Sequence, residues 1–299
     1  MFGLIGALGN FAMWNRFAIL ITAVTLFAVA SSAVAQPAAA ADHALKLGYS
    51  VYLGGLNIFR LDVDLTRDGA GYVISGGGKT QGMIRVVWKW AVTATARGEV
   101  KGNGVVSRSY HVTTFKKQKR RSLRLSFPPS GGYSIERTPP DSPRKARRRA
   151  KRMPKSIPAG TIDPVSVSMA VAEAAARGRG CGGTFPVFDG NRRYDVTFTK
   201  AGEEYLNKPG FSKFEGHAIR CTLAMKRISG FRKKPVMLRF WDEEKTEAPE
   251  IWLGRLNNTL PLVPVRFQAD FNLGYMIVYL VKAEYRGRSL LAAGAGKRK

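Results

Sequence analysis

Few residues in this sequence have the types and spacing that acid–base or nucleophilic chemistry requires. A hydrolytic triad needs a nucleophile, a histidine and an orienting acid. Only His43, His111 and His217 are available as the histidine, and His43 lies in a segment expected to precede the folded domain. The sequence has no Gly-x-Ser-x-Gly motif, phosphate-binding loop or dinucleotide fingerprint, and we predict that Gly76-Gly77-Gly78 is a turn. We therefore expect a protein that is not an enzyme.

Carboxylate pairs and metal ligands are equally sparse. Asp189 and Asp195 are close in sequence, but Asp189 suits a hairpin turn and Asp195 suits an ion pair with a neighbouring arginine. His217 and Cys221 could contribute two metal ligands, yet no further cysteines or carboxylates cluster around them. We expect no metal site and no cofactor.

The N-terminal segment is typical of a secretory signal. Arg16 precedes an apolar run from Phe17 to Ala30, and the small-residue triplet Ala33-Val34-Ala35 follows. A membrane-spanning helix is the alternative, but the run is shorter than the ~20 residues that a span needs. We predict a signal peptide over residues 1–35, starting at Met1 or Met13, and a location in the periplasm.

The two cysteines of the chain, Cys181 and Cys221, are expected to form a disulfide, because an exported protein meets a compartment that permits one. Between them, residues 184–188 and 193–198 are strand-like runs separated by Asp189-Gly190, which predicts a hairpin. Cys221 lies in a further strand-like run. The disulfide would therefore join the start of the hairpin to a neighbouring strand and stabilise a sheet.

Most of the remaining chain alternates apolar with polar residues, the period of a half-buried strand. We predict strands over residues 45–52, 56–65, 72–75, 84–96, 105–114, 121–127, 250–256, 262–267 and 275–281. One helix is predicted from Asp163 to Ala176, with Asp163 as its N-cap and Pro164 in its first turn. Its packing face would hold Val167, Ala170, Val171 and Ala174.

This pattern predicts an all-β fold: a large curved antiparallel sheet or partly open β-barrel with one packed α-helix. We expect a single domain over residues 45–287, preceded by a disordered spacer at 36–44 and followed by a flexible basic tail at 288–299.

Positive charge is concentrated in one part of the chain. The net charge is +27, and residues 116–155 hold fifteen basic and two acidic residues. Prolines interrupt this region, so we predict a mobile loop over about 138–160. Export makes nucleic acid an unsuitable partner, whereas anionic membrane surfaces attract such segments. The predicted contact residues are Arg144, Lys145, Arg147, Arg148, Arg149, Lys151 and Arg152; a merely solubilising loop is the alternative.

Several segments together resemble one family of exported bacterial proteins. They are Cys181-Gly-Gly-Thr-Phe-Pro-Val-Phe-Asp-Gly-Asn-Arg-Arg-Tyr-Asp, Gly216-His-Ala-Ile-Arg-Cys221, Ile251-Trp-Leu with Pro264-Val-Arg266, and Tyr52-Leu-Gly-Gly-Leu56. The chain is similar, from about Leu45 to Tyr285, to the domain-of-unknown-function 3108 family. The resemblance implies an envelope protein with a large antiparallel sheet and brings no catalytic residues.

A curled sheet has a concave face that its own side chains do not fill, and the small residues of the predicted helix leave room there. We predict an apolar cavity lined by Val167, Val171, Trp88 and Trp252, which would accept a lipid or acyl chain. A structural protein that binds an envelope partner and holds no small ligand is the alternative function.

Overall fold

A computed structural model of the chain describes residues 44–102, 104–154, 156–208, 210–231, 247–271 and 274–291. The predicted signal peptide, the spacer up to His43 and the tail from residue 292 lie outside the described residues.

Strands dominate the part of the chain that the structure describes. The strands are β1 (Leu45–Leu53), β2 (Leu56–Asp68), β3 (Gly71–Thr80), β4 (Trp90–Lys101), β5 (Gly104–Lys116), β6 (Lys119–Ser126), β7 (Ser134–Thr138), β8 (Gly183–Phe188), β9 (Arg193–Leu206), β10 (Gly216–Ser229), β11 (Glu250–Gly254), β12 (Val263–Phe271), β13 (Gly274–Tyr285) and β14 (Arg288–Ser289). The helices are α1 (Ile84–Val87), α2 (Pro143–Ala150) and α3 (Ser166–Ala176).

All fourteen strands belong to one antiparallel sheet, in the order β7-β6-β5-β4-β3-β2-β1-β13-β12-β11-β10-β9-β8, with β14 paired to β13. Strands that are consecutive in sequence pair with each other, except β7 and β8, which form the two edges, and β1 pairs with β13 and so joins the two halves of the chain. The predicted all-β fold with a large curved antiparallel sheet and a packed helix is confirmed, and the sheet is not closed into a barrel.

The two edge strands, β7 and β8, approach each other because the sheet curls. Arg137 on β7 donates hydrogen bonds to the Gly190 carbonyl (2.6 Å) and to the Asn191 side-chain oxygen (3.2 Å) in the β8–β9 turn. Ile162 forms an isolated parallel bridge with Val187 on β8. The segment that precedes α3 therefore pairs with the β8 edge, beside the seam where Arg137 links the two edges.

The hydrophobic core lies inside this curl. Its fully buried side chains come from both halves of the sheet and from α3, and they include Leu45, Val92, Leu125, Val167, Phe188, Phe198, Phe267 and Leu280. The domain thus folds around one core, with α3 enclosed by the sheet.

Two strand predictions require correction. The run at 84–96 is not one strand, because residues 84–87 form α1 and β4 starts at Trp90. Gly76-Gly77-Gly78 is not a turn but part of β3. A β-carbon on Gly78 would lie 2.3 Å from the Phe59 ring, so glycine at this position makes room for that ring inside the curl.

The basic segment is also more ordered than the predicted loop. Residues 134–138 form β7, and α2 occupies 143–150. Asp141 forms ion pairs with Lys145 and with Arg149, the latter at 2.7 Å, and so fixes the start of α2. Met153 and Ile157 pack against the core. The composition of this basic segment favours disorder, but ion pairs between residues close in sequence and the packing of two apolar side chains keep it ordered.

The C-terminal boundary at residue 287 is too early. Arg288 and Ser289 form β14, and the Leu290 amide donates to the Ala283 carbonyl at 2.8 Å. Leu290 and Leu291 pack against the core. Within the described ranges, no helix is long and apolar enough to cross a membrane.

Candidate functional site

A cavity of about 70 Å³ lies between α3, the inner face of strands β1 to β4 and the segment at 261–264. Its lining consists of Leu47, Tyr49, Val63, Leu65, Ile74, Gly76, Ala94, Val165, Ser168, Met169, Ala172, Pro261, Leu262, Val263 and Pro264. The predicted position of a cavity between the helix and the sheet agrees with this geometry.

The helix face that lines the cavity is not the predicted one. Val165, Ser168, Met169 and Ala172 recur at the spacing of one helical face and border the space. Val167 and Val171 are almost fully buried but do not line it. The prediction is wrong because α3 is buried nearly all round, so the distribution of apolar residues along it does not distinguish the face that borders the cavity from the face that packs in the core.

The two predicted aromatic residues also lie elsewhere. Trp88 directly follows α1 and is half-buried against the core. Trp252 pairs across the sheet with Arg266, whose guanidinium lies 4.4 Å from the indole ring centroid. The indole nitrogen donates to Glu204 at 2.5 Å. Trp252 therefore shares a sheet face with charged residues, and Ile251 next to it takes the opposite face.

The cavity lining contains no charged side chain. The Ser168 hydroxyl donates to the Val165 carbonyl at 2.8 Å, so its proton already has an acceptor within the helix. Burial raises the pKa of Tyr49 well above its ordinary value, so the phenol is neutral at physiological pH. The lining therefore favours an uncharged, apolar occupant.

A buried polar network positions the start of α3. Asp163 is fully buried, and its Oδ1 accepts hydrogen bonds from the amides of Val165 (2.9 Å) and Ser166 (3.0 Å). These are the hydrogen bonds of an N-cap, although the regular helix starts at Ser166, three residues later than predicted. Its Oδ2 accepts from the hydroxyls of Ser107 (2.7 Å) and Ser166. Ser107 on β5 also accepts from the Asp163 amide at 3.0 Å. The cap predicted from sequence thus also fastens α3 to the sheet.

The network extends to β3, where the Tyr72 hydroxyl donates to the Ser166 hydroxyl at 2.7 Å. Sequence reasoning missed Ser107 and Tyr72, because hydrogen bonds between residues far apart in the chain leave no local pattern. The pKa of Asp163 is raised, because burial disfavours its charged form more than the surrounding hydrogen bonds favour it. The hydrogen bonds from Ser107 and Tyr72 fix the start of α3 against the sheet. They therefore also fix the position of the helix that forms one wall of the cavity.

The candidate catalytic residues are not brought together. Asp189 accepts hydrogen bonds from the amides of Asn191 and Arg192, both at 2.7 Å, and makes the hairpin turn as predicted. Asp195 pairs with Arg193 at 2.6 Å, also as predicted. His217 packs edge-on against Tyr205. No group of three or more His, Cys, Asp or Glu side chains that could hold a metal ion occurs among the described residues.

The Cys181–Cys221 disulfide is confirmed, with its Cα atoms 6.4 Å apart and both residues fully buried. Cys181 precedes β8, and Cys221 lies on β10, so the bond spans β9. It therefore fixes the sheet edge at β8, with which the segment that precedes α3 pairs.

The predicted anion-contacting residues belong to α2 and the turn after it. Arg149 and Lys145 pair with Asp141, and the Arg152 side chain donates to the Arg148 carbonyl at 3.1 Å. The exposed side chains on this segment are those of Arg144, Lys145, Arg147, Arg148, Lys151 and Arg152. Arg149 is partly buried and has a structural role.

The chain was compared with protein families and with solved structures, and each comparison found a match. Residues 48–281 match the family described as "Protein of unknown function (DUF3108)". Among solved structures, the chain is similar to the crystal structure of a beta-barrel-like protein of domain of unknown function DUF1849 from Brucella abortus. The two share 11% sequence identity with a TM-score of 0.47, over 81% of this chain and 98% of that chain. No curated protein matches the chain.

Proposed function

The chain belongs to the DUF3108 family, as the resemblance predicted, and we propose that it is a non-enzymatic periplasmic protein of the cell envelope that binds an apolar group inside its curved sheet. The observation that carries the proposal is the uncharged cavity between α3 and strands β1 to β4. Folded interiors are packed closely, so a partly open apolar cavity larger than a water molecule, between a helix and a sheet, is a candidate ligand site.

The size of the cavity limits its occupant. Its volume of about 70 Å³ is roughly half that of an engineered apolar cavity of about 150 Å³ that binds benzene. The space therefore suits a few carbon atoms, such as the end of an aliphatic chain, rather than a whole acyl chain. A lipid would place only its terminal carbons between Ala172 and the sheet.

A series of straight-chain alcohols tests this proposal on the intact protein. A ligand that binds only the folded state increases the free energy of unfolding by mass action, by about 2.7 kcal/mol at a hundredfold excess over Kd, and so raises the unfolding temperature. We expect stabilisation to grow with each added carbon and to level off once the cavity is filled. Equal shifts in the unmodified protein and in Ala172→Leu, which removes the space, would contradict the proposal.

A second candidate function is attachment to an anionic membrane surface through α2. The exposed cations include Arg144, Arg147 and Arg148 on this helix and Lys151 directly after it, and each cation near such a surface contributes about 1 kcal/mol. Because no large apolar side chain is exposed among them, the attraction would be electrostatic and sensitive to salt. An interaction protein that holds no small ligand remains the alternative if the cavity proves empty.

A further inference from the structure

One end of the sheet carries exposed apolar side chains among basic ones. Residues 54–55, 81–89 and 117–118 connect β1 to β2, β3 to β4 and β5 to β6, so all three connections lie at the end where β1 finishes. We call this region the α1 end. Gln81 donates from its amide to the Ile58 carbonyl (2.9 Å), and Lys117 donates likewise to Lys89 (3.2 Å). The first bond joins the β3–β4 connection to β2, and the second joins it to the β5–β6 connection.

The apolar part of the α1 end is unusually exposed. Met83, Val86 and Val87 are 84%, 89% and 81% exposed, and Leu56, the first residue of the neighbouring strand β2, is 65% exposed. None of the four residues of α1 is buried, so the helix does not contribute its side chains to the core. Large apolar side chains that protrude together from a connection mark a contact site with an apolar partner.

The charges around these side chains identify that partner. Arg85, Lys89, Lys117 and Lys119 are all exposed at the α1 end. Between Asp68 and Glu136 the sequence has one acidic residue, Glu99. Glu99 pairs with Arg108 at 3.0 Å, and its strand partner in β3 is Gly71, so it lies at the opposite end of the sheet. The α1 end therefore combines protruding apolar groups with positive charge.

We propose that the α1 end docks on an anionic phospholipid bilayer, with Met83, Val86 and Val87 entering the headgroup boundary and the four cations contacting headgroup phosphates. Peripheral proteins bind bilayers by this combination of buried apolar area and attraction to anionic lipids. The site differs from α2, whose exposed surface is charged without protruding apolar side chains. It also does not depend on an occupant of the internal cavity.

Vesicle cosedimentation of the full chain tests the proposal with a variant that leaves the charge unchanged. The vesicles contain phosphatidylcholine alone or with about one quarter phosphatidylglycerol. The unmodified protein should bind the anionic vesicles, and Val86→Ser/Val87→Ser should bind them at least about tenfold more weakly. Both valines are exposed, so the unfolding temperature of this variant should not change. Tyr205→Ser is the matched control. Tyr205 is an exposed residue of β9 at the end of the sheet away from α1, so this variant should bind as the unmodified protein does.

A charge variant completes the test. Arg85→Gln/Lys117→Gln should weaken binding at low salt by about fivefold for each charge removed. If Val86→Ser/Val87→Ser binds like the unmodified protein, the attraction is electrostatic only and the proposal is wrong. If the unmodified protein binds neither vesicle, or binds both equally, a bilayer with anionic headgroups is not the occupant of the α1 end, and the proposal is equally wrong.

Discussion

Replacing Ala172 with leucine should stabilise the protein, although most substitutions of a buried residue destabilise. Ala172 lines the 70 Å³ cavity, so three added carbons would occupy space that no side chain fills. Residual cavity volume costs about 24 cal/mol per Å³, which corresponds to about 1.7 kcal/mol for this cavity. The loss of leucine rotamer freedom offsets about 0.5–1 kcal/mol. The expected net gain is about 1 kcal/mol, or a rise of about 2–4 °C in Tm.

The matched control is the same substitution at Ala174, on the packed face of the same helix. Ala174 is 3% exposed and does not line the cavity, so leucine there should overpack the core and destabilise by about 1–3 kcal/mol. Urea unfolding of both variants, without added ligand, measures the two free energies of unfolding. If Ala172→Leu destabilises the protein as much as Ala174→Leu does, the space beside α3 does not exist and the reasoning is refuted.

Three further predictions concern the supports of the fold and its surface. Asp163→Ala should cost about 3 kcal/mol, since a buried carboxylate and its hydrogen bonds are lost, and Asp163→Asn should cost less. Because the pKa of Asp163 is raised in the folded state, the stability of the unmodified protein relative to Asp163→Asn should be highest below about pH 4, the ordinary pKa of aspartate, and should fall as pH rises through the raised pKa. A difference that grows with pH would contradict this. Thiol labelling of the denatured, unreduced protein should find no free thiol, and Cys181→Ala/Cys221→Ala should lose about 4 kcal/mol of stability, whereas two labelled cysteines would disprove the bond. Arg144→Gln/Arg147→Gln/Arg148→Gln should keep the Tm within about 2 °C and weaken binding to anionic vesicles at low salt. Unchanged vesicle binding would exclude α2 as a membrane contact.

Local pattern was sufficient for the fold class, the hairpin at Asp189-Gly190 and the N-cap at Asp163, because each depends on residues close together in sequence. The disulfide followed from compartment and cysteine number. The strand predicted at 84–96 failed because residues 84–87 are as apolar and β-branched as a strand, yet they form an exposed helix. β-propensity is only a weak preference of the local sequence. Residues 84–87 lie in the connection between β3 and β4, and the path of that connection determined their conformation.

The candidate site was predictable in position but not in its residues. A curved sheet and a helix of small residues were enough to place a cavity between them. The orientation of α3 could not be predicted, because it depends on hydrogen bonds from Ser107 and Tyr72 to Asp163 and Ser166 across the interior. That orientation directs Ala172 into the cavity and Val171 into the core. A single-residue offset on a helix therefore separates the predicted lining from the observed one.

Native mass spectrometry of the protein, purified without detergent from the cells that produce it, tests the central proposal most directly. The proposed function predicts a bound apolar molecule at one per chain, which Ala172→Leu, purified in the same way, lacks. Two results would contradict the proposed role of the cavity. The unmodified protein could have only the mass of its own chain, or it could be bound at fixed stoichiometry to another protein and to no apolar molecule.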